Sequence, residues 1–181
     1  DGANLGGGDY MTINQNKKVI RIVTPYDYDI IILNKKLNKT YIYFGSSGFS
    51  KFKKQAIQDG NAEKIATDVS VKRAVSKSNR LYNNSVWDLV DKSEKEVIDY
   101  SKIDRKKLTK ELQALSDAEL KKHVKTQKKK RSEIKKQINE LNKKRKIYVA
   151  KKQQESTKKN ELESVMIQAI KKQAMRKNYK W

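Results

Sequence analysis

Ten positions between Leu120 and Lys152 constrain this chain more than any other feature. Leu120, Val124, Gln127, Arg131, Ile134, Ile138, Leu141, Arg145, Tyr148 and Lys152 follow one another at alternating steps of four and three. That spacing places all of them on one stripe of an α-helix. The pattern holds from Asp117 to about Glu155, and a continuous helix of that span is a rod of roughly 58 Å at ~1.5 Å per residue. Six of the ten seam positions are apolar, enough to require a partner surface. Gln127, Arg131 and Lys152 argue against a tight, long homodimer, because polar side chains at seam positions weaken such a pair. A coiled-coil or helical-hairpin arm is the first reading, and a lone solvated helix or a polyanion-binding helix are the others.

The start of this helix is written in the sequence. Ser116 stands three residues before Glu119 in "SDAEL", the arrangement in which each side chain caps a backbone N–H of the other. Upstream, "DRKKLTKELQAL" puts Leu108, Leu112 and Leu115 on one stripe. Charged residues make up 35% of the chain and hydrophobic ones 36%, a balance that suits long solvated helices better than a thick globule. Five of the seven glycines precede residue 46, so turns belong to the N-terminal part and helices to the rest.

Charge bounds the class of partner. The net charge is +22, and residues 101–160 hold 22 Lys and Arg against 7 Asp and Glu. A basic surface of this kind fits solvated helix faces first and a polyanion second. Only 7 of the 43 cations are arginine, and lysine is the poorer residue for bidentate phosphate recognition. No apolar run reaches the length of a membrane span. "DGANLGGGDY" has neither a start methionine nor a signal-like pattern, which reads as a piece cut from a longer chain.

Along the chain, "GGGDYMTINQNKKVIRIVTP" reads as strand, polar turn and strand. Thr24 and Pro25 are the expected N-cap and first residue of a helix carrying Ile30, Leu33 and Leu37 on one face. From Phe49 to about Tyr82 the apolar residues Phe49, Phe52, Ala56, Ile57, Ile65, Ala66, Val69, Ala74, Val75 and Leu81 recur at helical steps, with Gly60 weakening the middle. "LYNNSVWDLVD" follows, free of lysine in a chain full of it. Ser85 is the expected cap of a short helix, with Asp88 at its third position and Trp87 and Val90 sharing a face. Val97, Ile98, Tyr100 and Ile103 are contact points in a less regular stretch. A last helix starts at Asn160 and carries Leu162, Val165, Met166, Ala169 and Ile170.

No motif spells out a reaction. Gly6-Gly7-Gly8 lacks the Lys-Ser/Thr and the following helix of a phosphate cradle. His123 is the only histidine and there is no cysteine, so His123 reads as a helical surface residue rather than a metal ligand or acid–base group. The carboxylate pairs Asp27 and Asp29, Glu94 and Glu96, and Glu161 and Glu163 are two apart, which points them away from each other on a helix. "DGNAEKIATDVS" lacks the ligand spacing of a calcium loop. Tyr41, Tyr43 and Phe44 in "TYIYFG" read as packing rather than a base-stacking surface. No residue is therefore assigned a catalytic, cofactor-binding or metal-binding role.

Taken in order, "GGGDYMTI", "TPYDYDIIILNKKLNKTYIYFG", "QDGNAEKIATDVSVKRAVSKS", "LYNNSVWDLVD", "LSDAELKKHVKTQKKKRSEIKKQINELNKKRKIYVA" and "MIQAIKKQAMRKNYK" resemble the C-terminal region of bacterial secreted or periplasmic proteins that carry a von Willebrand factor type A (VWA) domain. The resemblance implies that residues 1–45 are the end of a VWA-like α/β domain, its last strand and helix. Residues 46–115 would then be a helical joint, and residues 116–181 a long basic arm with a terminal helix. The fold expected is mainly α, with an N-terminal β-hairpin-plus-helix remnant and one coiled-coil-like helix over about 117–155. Metal-binding VWA domains use Asp-x-Ser-x-Ser, which this chain lacks. A divalent metal would belong to the upstream domain, and no cofactor is expected in this chain. The implied role is non-enzymatic: a helical extension that packs against or spaces the upstream VWA domain in cis, with a protein partner or self-association through the long helix. Lysine-driven binding to nucleic acid or an anionic surface is the alternative. Secretion or periplasmic placement follows from the resemblance alone.

Overall fold

The computed structural model describes residues 21–157 and 161–177. Within them the chain forms seven α-helices and two 3-10 turns and has no regular strand. The helices are α1 (Asp27–Asn38), α2 (Gly48–Ile65), α3 (Thr67–Ser78), α4 (Leu89–Lys95), α5 (Lys110–Gln113), α6 (Asp117–Thr157) and α7 (Glu161–Arg176). The 3-10 turns are Tyr100–Lys102 and Arg105–Lys107. The mainly helical character and the long helix are as expected. The β-hairpin falls mostly on residues outside the described ones, and Arg21–Val23 at its end carry no strand.

The helix α6 organises everything else. It begins at Asp117, and its capping box forms as the spacing predicts. Glu119 Oε2 accepts from the Ser116 N–H at 2.8 Å, and Ser116 Oγ accepts from the Glu119 N–H at 3.3 Å. Of the seam, Leu120, Val124, Arg131 and Ile138 are buried, while Gln127, Ile134, Leu141, Arg145 and Tyr148 are half-buried and Lys152 is exposed. The seam is therefore covered in cis by the short helices, and the cover fades toward the C-terminal end of the helix.

Helix α1 lies antiparallel to α6: Asp27 at its start meets Arg145, and Thr40 just past its end meets Arg131. Regular helix begins at Asp27, two residues after the Thr24–Pro25 signal. Thr24 still closes the end, its N–H donating to Asp27 Oδ2 at 3.1 Å. Ile30, Leu33 and Leu37 face inward as the spacing predicts.

The next segment departs from expectation. Gly60 sits within α2, and the break comes at Ala66, whose extended backbone separates α2 from α3. Phe49, Ile57, Ile65 and Leu81 are exposed, and Ala56 is too. The inward face of α2 is instead Gln55, Asp59 and Ala62. The cause is a buried ion pair between Asp59 and Lys77 of α3, which turns a polar edge of α2 inward (see below).

Two apolar clusters fill the interior. One joins Ile30, Leu33, Leu37, Tyr41, Val71, Ala74, Trp87 and Ile138. The other joins Ile42, Leu89, Val90, Leu108, Leu112, Leu120 and Val124. Full burial of each such aliphatic side chain is worth about 1.5–3 kcal/mol. Trp87 and Val90, expected on one face, belong to different clusters because Asp88 between them is extended and the helix α4 starts only after it, so Trp87 is not on that helix. The leucine stripe runs from a 3-10 turn into the four-residue α5 and not along one helix, yet Leu108 and Leu112 are buried. Ile98, Tyr100 and Ile103 pack on the second cluster as expected. Val97 is fully exposed and makes no such contact.

Candidate functional site

After a turn at Lys39–Thr40 that closes α1, the segment Ile42–Phe44 runs antiparallel beside Trp87–Leu89. The two are stitched by Phe44 N–H to Trp87 O and Leu89 N–H to Ile42 O, each 2.9 Å. The turn that follows uses Gly45 at φ +73°, a left-handed conformation that costs other residues energy. The extended pair brings Thr40, Tyr41 and Asp88 to one point, and α4 adds Asp91. Arg131 of α6 enters between them.

Arg131 is fully buried. Its Nη1 donates to Asp88 Oδ2 and, at 2.6 Å, to Asp91 Oδ1. Nη2 donates to Thr40 O at 2.7 Å and Nε to Thr40 Oγ1 at 2.9 Å. The guanidinium lies 4.2 Å from the centroid of the Tyr41 ring, a stacked cation–π contact that a planar, weakly hydrated cation makes well. Burial disfavours the charge on Arg131, but the carboxylates of Asp88 and then Asp91 outweigh it and raise its pKa above the ordinary value. Burial also pushes the Tyr41 phenol far above its ordinary pKa, so a neutral ring faces the cation.

Asp88 has three jobs. It pairs with Arg131, accepts from the Ile42 N–H at 2.7 Å, and caps α4 by accepting from the Asp91 N–H at 3.0 Å. Its place is therefore the N-cap itself and not the third helical position, and Ser85 is not the cap. Ser85 N–H instead donates to Asn83 Oδ1 at 3.0 Å in a local turn. Asp91 also accepts from the Asn84 N–H at 2.7 Å. Trp87 closes the site from the apolar side, stacked on Tyr41 with centroids 5.6 Å apart and edge-on to Phe52 at 6.5 Å.

Two further nodes tie the helices. Lys77, fully buried on α3, reaches Asp59 Oδ2 at 2.6 Å and also Asn38 of α1. Arg73 binds the other Asp59 oxygen. Arg145 binds Asp27 at 2.8 Å. Thus each buried carboxylate among the described residues, Asp27, Asp59, Asp88 and Asp91, is held by a cation on another helix.

The Asp59 node carries a pH signature. Burial alone would raise the Asp59 pKa, but hydrogen bonding and charge from Lys77, with Asn38 and Arg73, hold it below the ordinary carboxylate value. A depressed folded-state pKa gives stability that is present above the unfolded-state value near ~3.9 and is lost as pH falls through the folded one. Asp59→Asn should cost about 2 kcal/mol at pH 7. Urea unfolding at pH 7 and at pH 3 checks this: the gap between variant and parent should shrink on acidification. A gap that stays constant excludes the linkage.

The residues singled out from the sequence fall apart in space. His123 is half-buried rather than exposed, with its Nε2 3.4 Å from Gln127 Nε2. Asp27 is buried and Asp29 exposed, pointing apart as expected. No group of three or more potential ligands that could hold a metal occurs among the described residues. None of their helices is long and apolar enough to cross a membrane.

Sequence reasoning missed the Arg131 site. It placed Arg131 on the seam and gave Asp88 a local role. The signal was present: an arginine in the middle of a seam that must be covered needs carboxylates, and "LYNNSVWDLVD" offers two within a lysine-free window. Comparison with protein-family models, with curated proteins and with solved structures gave no match.

Proposed function

We propose that this chain is a non-enzymatic structural and protein-interaction module: the helical extension of a secreted or periplasmic VWA-type protein, which packs against or spaces its upstream domain. The observation that carries the reading is the use made of the buried charges. Each buried carboxylate among the described residues is committed to a cation on a different helix, and the two seam arginines Arg131 and Arg145 lock α6 to α4 and α1. Such paired groups serve packing geometry rather than proton transfer. The module holds one long helix rigidly at its base and leaves the far end, around Lys152, uncovered.

The coding sequence upstream of Asp1 tests the family part of the reading. A signal peptide followed by an apolar strand and Asp-x-Ser-x-Ser is the expected result. A start codon directly before Asp1 overturns it.

A further inference from the structure

The buried nodes do more than hold α6 in place. They set its rotation about its own axis, and so decide which residues point away from the body. With Ile138 facing the core, successive residues turn by about 100°. Lys121, Lys125, Lys129, Lys136 and Lys143 then fall within an arc of about 80° on the outward side. All five are exposed, and no ion pair among the described residues engages any of them. Ser132 lies within the arc, Asn139 at its margin accepts a hydrogen bond from Ser78 Oγ of α3 at 2.9 Å, and no acidic residue lies within it. Glu133 and Glu140 lie along one edge of it. The row is straight and ~33 Å long at ~1.5 Å per residue.

We infer that this lysine row is a contact surface for the phosphate backbone of duplex nucleic acid, without base readout. Three features select that partner. Lysines are flexible point charges, which neutralise phosphates without the rigid planar fork of arginine. The row holds no aromatic residue, whereas single strands are bound by stacking their bases on aromatic side chains. It also lacks the Trp, Phe and Leu that sink an interfacial helix into a lipid surface. A straight rigid helix meets a duplex that is itself straight over this distance, since duplex persistence length is about 50 nm. The inference stands apart from the family reading above, because it uses only the charge and rotation of α6.

The test is fluorescence anisotropy with a mixed-sequence 20-base-pair DNA duplex between ~50 and ~200 mM salt. Five phosphate contacts predict that log K falls with log salt at a slope near −4.5, about −0.9 per contact. Replacing all five row lysines by glutamine, a good helix former, should flatten the slope to near zero and weaken binding at ~50 mM salt at least 100-fold. A charge-matched control, Lys35, Lys51, Lys53, Lys54 and Lys64 replaced by glutamine, should stay within about fivefold of the parent. Replacing the row by arginine should keep both affinity and slope, which separates lost charge from lost fold. No binding by the parent chain, or equal losses in row and control variants, overturns the inference. Row-dependent binding to phosphatidylserine-containing vesicles without duplex binding assigns the row to a lipid surface and overturns it as well.

Discussion

Arg131→Met should destabilise the protein by about 3–5 kcal/mol, because it leaves the buried carboxyl groups of Asp88 and Asp91 with no counter-ion. The loss of a single arginine from a +22 chain would otherwise relieve repulsion and do little. The size of the effect comes from the site: the guanidinium makes three hydrogen bonds to two carboxylates and two to Thr40 and is itself fully buried. Adding Asp91→Asn to Arg131→Met should recover part of the loss, since it removes one unpaired carboxylate while an asparagine there can still accept from the Asn84 N–H and Asp88 keeps both of its backbone bonds. Urea unfolding followed by circular dichroism measures both. A single-variant effect under about 1 kcal/mol, or no recovery in the double variant, excludes Arg131 as the lock of α6.

Trp87→Ala should cost a similar amount, about 3–5 kcal/mol, by a different mechanism. Truncation removes a large apolar surface and opens a cavity between Tyr41 and Phe52, which α2 and the extended segment cannot both collapse into. The loss should be local in its first effects. Amide hydrogen exchange should speed up across residues 49–115, where the short helices depend on this contact, before the capped start of α6 responds. Protection unchanged in that range would remove Trp87 as the anchor of the joint. The two variants differ in a further respect: Trp87→Ala leaves the carboxylate pairing intact, so no partner substitution at Asp88 or Asp91 should rescue it.

Much of the helical layout was legible because its causes are local. The seam of α6, the Ser116–Glu119 box, and the Ile30, Leu33 and Leu37 face each follow from spacing along a few turns of one helix. The errors cluster where burial was assigned by hydrophobicity alone. Phe49, Ile57 and Leu81 were expected inside, and Gln55, Asp59 and Lys77 lie there instead. Polar residues can be buried when a partner from another helix satisfies them, and that partner is not visible in a local window. The Asp88 reading failed for the same reason. Its capping role depends on residues just after it, but its position depends on Ile42 and Arg131.

The sequence by itself determined that this is a helical, strongly basic chain built around one long helix with a defined start. Periodicity and capping are short-range, so they survive without knowledge of the fold. Only the tertiary structure decided where the seam finds its cover, which carboxylates meet Arg131, Lys77 and Arg145, and therefore which lysines point outward. Asp88 and Arg131 are 43 residues apart, and Asp27 and Arg145 are 118 apart. An ion pair of that separation is fixed by the packing that excludes water from it, and no stretch of sequence contains that packing.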